Sequence, residues 1–139
     1  MFNYPAKFAP EADGGFVVTF RDIPEAISQG DSIDEAREAA RDALITAMDF
    51  YFEDRRSVPQ PSKARKGEEL VGLPTSVATK VLLLNAMLEK NTRPVDLARA
   101  MNIKPQEVTR LVDLHHSTKI DTLAAAFAAM GRSLEVVVK

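Results

Sequence analysis

Apolar positions along this chain switch from a strand-like to a helix-like spacing near residue 31. Residues 2–8 alternate loosely, Phe16-Val17-Val18-Thr19-Phe20 is β-branched and aromatic throughout, and Ala26 to Gln29 forms a third short run. These segments predict three strands. The acidic residues and paired glycines of Glu11 to Gly15 predict a hairpin turn between the first two, and Asp22 to Pro24 turns the chain again. Pro5 has no N–H for a ladder, so it suits a sheet edge better than a central position. From Ile33 onward, Ala36, Ala40, Ala43, Leu44, Ala47 and Tyr51 recur every three or four residues, which predicts an amphipathic helix. Ser32 as cap with Glu35 three residues on gives its start a capping-box pattern. The small alanines allow close approach to a sheet, while Glu35, Glu38, Asp42, Asp49 and Glu53 form the opposite face.

Residues 55–69 are polar, charged and proline-bearing, so they read as a loop or linker, and Leu70 to Leu73 as a brief strand. A helix follows from Pro74-Thr75 with the stripe Val77, Val81, Leu84 and Leu88. Another is expected over Lys119–Met130, with Thr118 as its cap and Gly131 as its stop. Leu134 to Val138 is strand-like but isolated, and pairing with its twin in a second subunit would satisfy it. The expected fold is therefore α+β. Residues 1–71 form antiparallel strands plus one helix, and residues 72–139 an all-α domain with a C-terminal strand.

Asn91 to Leu114 carries the densest local information. Leu97, Ala98 and Met101 make one inner stripe, and Val108, Leu111 and Val112 another. Pro94 and Pro105 each sit at a first helical position, where a missing N–H does no harm, and Thr92 is placed to cap the first helix. Asn102 falls where a left-handed residue is needed. Helix, tight turn, helix is the helix-turn-helix pattern, whose second helix enters the DNA major groove. The apolar stripe turns Gln106, Glu107, Thr109, Arg110 and Asp113 outward. Gln106 suits adenine, and Arg110 suits guanine or a phosphate. Lys104 and Thr109 are placed for the DNA backbone. The competing reading is a plain helical hairpin with a solvated outer face; Ala98, Asn102 and Pro105 together argue against it.

Composition sets the outer bounds. With 139 residues, 45% of them hydrophobic and 27% charged, the chain has room for one domain or two small ones. Cysteine is absent, which removes disulfides, thiolate metal sites and cysteine nucleophiles. No membrane span or signal peptide is evident, so a cytoplasmic location is expected. The net charge of −2 divides unevenly: residues 1–69 hold 9 Lys and Arg against 14 Asp and Glu, residues 70–139 hold 9 against 6. An acidic first part and a basic second part suggest two different partners, with nucleic acid facing the second.

Tyr4-Pro5, Gly14-Gly15-Phe16-Val17-Val18-Thr19-Phe20, Asp22-Ile23-Pro24, Gly30-Asp31-Ser32, Glu35-Ala36 and Pro59-Gln60-Pro61-Ser62 resemble the HicB antitoxins, and the likeness runs through nearly the whole chain. Many members have Pro where Arg21 stands, and some carry a ribbon-helix-helix instead of a helix-turn-helix. The resemblance implies an N-terminal domain similar to a partial ribonuclease H fold, a HicA-type RNA-cleaving toxin as partner, and repression of the protein's own operon. A homodimer or higher even oligomer would place two recognition helices on a palindromic operator. An RNA-binding toxin is expected to be basic, so an acidic domain complements it. Glu11, Asp13, Asp22 and Glu25, in loops beside the strands, are the candidate toxin-facing residues.

A ribonuclease H-like outline raises the question of metal-dependent catalysis. Asp22, Asp42 and Asp49 are available, but Phe16 to Phe20 offers no acidic residue as central ligand. His115 and His116 are adjacent, so on a helix they diverge by about 100° rather than sharing a face. One of them near the helix C-terminus would favour the dipole. No phosphate loop or nucleophile elbow appears, and no catalytic residue, metal or cofactor is expected. A stand-alone regulator with a small-ligand-sensing N-terminal domain is the remaining alternative; it requires an apolar pocket that so short a domain has little room to build.

Overall fold

The computed structural model describes residues 2–139 and divides into two compact units. The first contains residues up to Tyr51 together with Val58–Ala78; the second contains Phe52–Ser57 and Thr79–Lys139.

The first unit is a four-stranded antiparallel sheet with one long helix. Strands β1 (Asn3–Pro10), β2 (Phe16–Phe20), β3 (Ile27–Gly30) and β4 (Glu68–Gly72) lie in the order β3-β2-β1-β4. The β1–β2 turn closes as its composition predicts, with Gly14 at φ 102° and the Glu11 N–H donating to the Gly15 carbonyl at 2.7 Å. Phe2, Tyr4, Ala6, Val18, Phe20 and Val71 are buried and carry the core of the sheet, with Pro5 buried between Tyr4 and Ala6 as well. Helix α1 (Ile33–Asp54) turns Ala36, Ala40, Leu44, Ala47, Met48 and Tyr51 inward. Arg37 of α1 donates to Glu69 of β4 at 2.7 Å, and the Tyr51 hydroxyl donates to Glu25 at 2.7 Å. The loop after α1 is anchored, because Val58 is buried and the Tyr4 hydroxyl donates to the Pro59 carbonyl at 2.7 Å. Burial, with the charges of Asp22 and Tyr51 adding to it, pushes the Tyr4 phenol well up from its ordinary range.

The second unit holds the rest of α2 (Thr75–Glu89), then α3 (Pro94–Met101), α4 (Pro105–Leu111) and α5 (Ile120–Ala129). Its core gathers Leu83, Met87, Leu97, Ala98, Val108, Leu111, Leu123, Ala126 and Phe127. Full burial of one Leu in such a core contributes about 1.5–3 kcal/mol. Three of its helices end alike. Asn91, Asn102 and Gly131 adopt φ of 53°, 56° and 74°. In each case the next residue's N–H reaches back five positions: Thr92 to Met87, Ile103 to Ala98 and Arg132 to Phe127, at 2.8, 3.0 and 2.9 Å. This Schellman arrangement satisfies carbonyls that a helix end otherwise leaves unpaired.

Several local expectations are corrected. Leu134 to Val138 is not a strand: residues 132–139 have no regular structure, and Val136, Val137 and Val138 are 79%, 75% and 93% exposed. A strand exists only through a ladder partner, and among the described residues none pairs with this segment. Pro5 lies in an interior strand rather than at an edge. The Leu73 N–H bonds to the Phe2 carbonyl, so by alternation Pro5 directs its nitrogen toward the β2 side, where pairing begins only at Ala6. Its missing donor therefore costs no ladder bond. Thr92 does not cap α3; the Arg93 backbone occupies that position, and Asp96 accepts its N–H at 3.0 Å. Thr118 does not cap α5, which starts from Lys119, and the Thr118 hydroxyl is buried without a partner. At α1 the Ser32 hydroxyl accepts the Glu35 N–H at 3.1 Å, but the Glu35 carboxylate reaches the N–H of Asp31, one residue short of the reciprocal box.

Candidate nucleic-acid interface and acidic surface

Between α3 and α4 the chain turns on three residues. Asn102 takes φ 56° and ψ 46°, the left-handed conformation an Asn tolerates because its short side chain bonds locally. Ile103 is partly buried against the core, and Lys104, extended at φ −74° and ψ 147°, leads into Pro105. At the other end of α3, the Asp96 carboxylate accepts both the Arg93 N–H and the Arg93 guanidinium, at 3.0 Å each. These bonds, with Arg99 at 3.9 Å adding charge, bring the Asp96 carboxyl down to about 2.

Leu97, Ala98, Val108 and Leu111 are buried along the seam between these helices. Lys104, Gln106, Glu107, Thr109 and Arg110 are all exposed, as the stripe predicts. The Thr109 hydroxyl donates to the Pro105 carbonyl at 3.2 Å, which leaves its oxygen able to accept but uses its proton. Gln106 and Arg110 lie four residues apart, one turn along the outer face. The face therefore offers a neutral amide and a guanidinium in line.

Sequence patterning gives no role at the site to Lys80. Its side chain is almost fully buried, and Nζ donates to the carbonyls of Arg110, Asp113 and His116 at 3.1, 2.6 and 2.6 Å. An ammonium placed there answers the negative end of α4 and holds the turn that follows it. Burial pushes the Lys80 amine below its ordinary range, with the Asp113 charge opposing. One signal was available: Lys80 sits among Val77, Ala78, Val81, Leu83 and Leu84, with no polar face to occupy. His115 and His116 are exposed, and the His115 N–H bonds to Asp113.

A cavity of about 350 Å³ opens beside α4, lined by Met101, Ile103, Arg110, Leu111, Thr118 and Thr122 among others.

The four acidic candidates of the first unit part company. Glu11 and Asp13 line a polar hollow of about 280 Å³ at the β1–β2 turn, together with Asp31. Asp22 is committed internally: it accepts the Ser62 N–H and hydroxyl at 2.8 Å each and lies 3.6 Å from Arg21. Arg21 in turn bonds Glu68 and the Lys63 carbonyl, which holds that carboxyl below its usual range. Glu25 accepts from Tyr51 and lines a trough beside β3. Asp42 and Asp49 remain on α1, and among the described residues no three His, Asp or Glu gather as a metal site.

Comparison with known proteins gives a consistent family. Residues 3–82 match the family model described as the HicB-like antitoxin of bacterial toxin–antitoxin systems. Antitoxin HicB 2 of Photorhabdus laumondii is 54% identical over 135 residues, covering 97% of this chain and 95% of that protein. Antitoxin HicB of Escherichia coli K12 is 48% identical over 135 residues, covering 97% and 98% respectively. Antitoxin HicB of Pseudomonas fluorescens is 33% identical, covering 96% and 92%. The family model stops within α2, whereas the relatives extend across α3 and α4.

Proposed function

This chain belongs to the HicB-like antitoxin family of bacterial toxin–antitoxin systems, and from that premise we propose a two-handed antitoxin and repressor. The acidic first unit neutralises a HicA-type, RNA-cleaving toxin. The second represses the protein's own operon through α3 and α4, a helix-turn-helix with α4 as its recognition helix. On this reading β1–β3 and α1 form a partial ribonuclease H-like fold used for binding rather than catalysis.

The observation that carries the repressor half is the buried seam of Leu97, Ala98, Val108 and Leu111, which leaves Gln106 and Arg110 on the open face. Gln106 reads an adenine edge, Arg110 a guanine edge, and Lys104 and Thr109 hold phosphates. Glu107, on the same face, accepts from a cytosine amino group and otherwise repels the backbone. A dimer brings two copies of α4 to half-sites about 34–36 Å apart.

Fluorescence anisotropy of the full chain with a labelled duplex from its own promoter tests the repressor half. Salt-dependent binding that is weakened in Gln106→Ala and Arg110→Ala is expected; affinity equal to wild type in both variants removes α4 as the reader. Co-purification with a HicA-type toxin tests the other half, and failure to form any complex removes it.

A further inference from the structure

We infer that the open edge of β3, with the trough between it and α1, is the docking face for the first unit's protein partner, an extended basic segment that adds a strand to β3. This rests on the reading that the first unit takes a basic toxin.

β3 and β4 are the two edge strands of the sheet, and they are finished differently. At β4, Glu68 and Glu69 are engaged by Arg21 and Arg37, so charged side chains guard that edge. β3 reads Ile-Ser-Gln-Gly, with no charge, proline or bulge, and among the described residues it pairs only with β2. An unguarded edge is a template for another strand.

Beside it lies an open trough of about 320 Å³. Ser28, Ala39, Ala43 and Ala47 make a floor of small side chains. Ile27 and Phe50, from β3 and α1, flank it at 65% and 49% exposed. Two large apolar groups facing one hollow mark an interaction surface more than a solvated one. Glu25 and Asp42 line the same trough, and no Lys or Arg does. That charge selects the occupant. A second copy of this chain would set the same carboxylates against each other, whereas a basic segment gains from both. The fit is a β-strand with one apolar side chain between Ile27 and Phe50 and flanking Lys or Arg toward Asp42 and Glu25.

The test uses the full chain and a purified HicA-type toxin. Hydrogen exchange should slow at the amides of residues 27–30 when the complex forms. Phe50→Lys and Asp42→Lys should each weaken the complex about tenfold or more, with operator affinity and the mass of the free protein unchanged. Tight wild-type binding with unmoved β3 amides and unmoved variants overturns the docking face and leaves the toxin reading standing. No complex with the wild-type chain overturns both. A change in free-protein mass in Phe50→Lys assigns the face to self-association and likewise overturns the proposal. If Phe50→Lys does not fold, the exchange measurement on the wild-type chain decides.

Discussion

The Lys80 ammonium, carried by α2, donates to the Asp113 carbonyl at 2.6 Å just beyond the end of α4. The outward face of α4 is therefore fixed from behind by a residue that cannot itself reach a duplex. Lys80→Met keeps the aliphatic packing but leaves the carbonyls of Arg110, Asp113 and His116 without this donor. A loss of about 1–3 kcal/mol in unfolding free energy is expected, as for a buried acceptor left unpaired. Urea denaturation measures it, and an unchanged midpoint would show that water replaces the ammonium at no cost.

Asn102 controls the angle between α3 and α4 through its left-handed backbone. Asn102→Gly should be neutral or slightly stabilising, because Gly reaches that conformation without strain. Asn102→Val should cost about 1–2 kcal/mol, because a β-branched residue resists positive φ. Thermal unfolding should place Asn102→Gly at or above the wild type and Asn102→Val below it.

Arg110→Ala removes an exposed side chain, so the fold should hold while operator binding weakens. The expected loss is about 1–3 kcal/mol if the guanidinium contacts a base, with specificity relaxed at that position. If it contacts a phosphate instead, affinity falls alike on all sequences and the salt slope drops by about one. Titrations on operator and scrambled duplexes at several salt concentrations separate these cases.

Asp96 gives a pH dependence with a definite sign. Its folded carboxyl is held at about 2 against an ordinary 3.8. A depressed folded value means the stabilisation is present above the ordinary range and disappears as pH falls through the folded one. Asp96→Asn should therefore be less stable than wild type at neutral pH, with the gap closing between about pH 4 and pH 2. A gap that persists at the acid end would mean the carboxylate's hydrogen bonds to Arg93 contribute nothing as charge.

Gly30 is fixed by proximity rather than by its dihedrals. A Cβ there would meet the Ala36 backbone nitrogen, with the Ala36 Cα at 2.7 Å and the Glu35 carbonyl carbon at 2.8 Å. Gly30→Ala must push α1 away from β3, costing at least about 1–3 kcal/mol as overpacking does. Chemical denaturation should show the first unit destabilised.

The parts of this fold legible in the sequence are those governed by neighbours along the chain. The alanine stripe of α1, the Phe16–Phe20 strand and the Asn102 turn each follow from spacing or from one residue's backbone preference. Gln106 and Arg110 face outward for the same reason, since the Val108 and Leu111 positions leave them no other side. What escaped depends on distant partners. Leu134 to Val138 has strand composition but no ladder among the described residues. Pro5 is acceptable in β1 because β2 ends one pair earlier. Asp22 looks like a free surface acid until Ser62, forty residues on, closes over it.

The placement of Lys80 also makes its amine a sentinel. At 3% exposure it is hidden from any reagent that acylates surface lysines, so its labelling rate tracks how often the helical unit opens around it. If the helical unit binds operator DNA as proposed, bound DNA that damps this opening would slow the reaction at this one amine. A single mass-spectrometric peptide could then report occupancy at a surface it never touches.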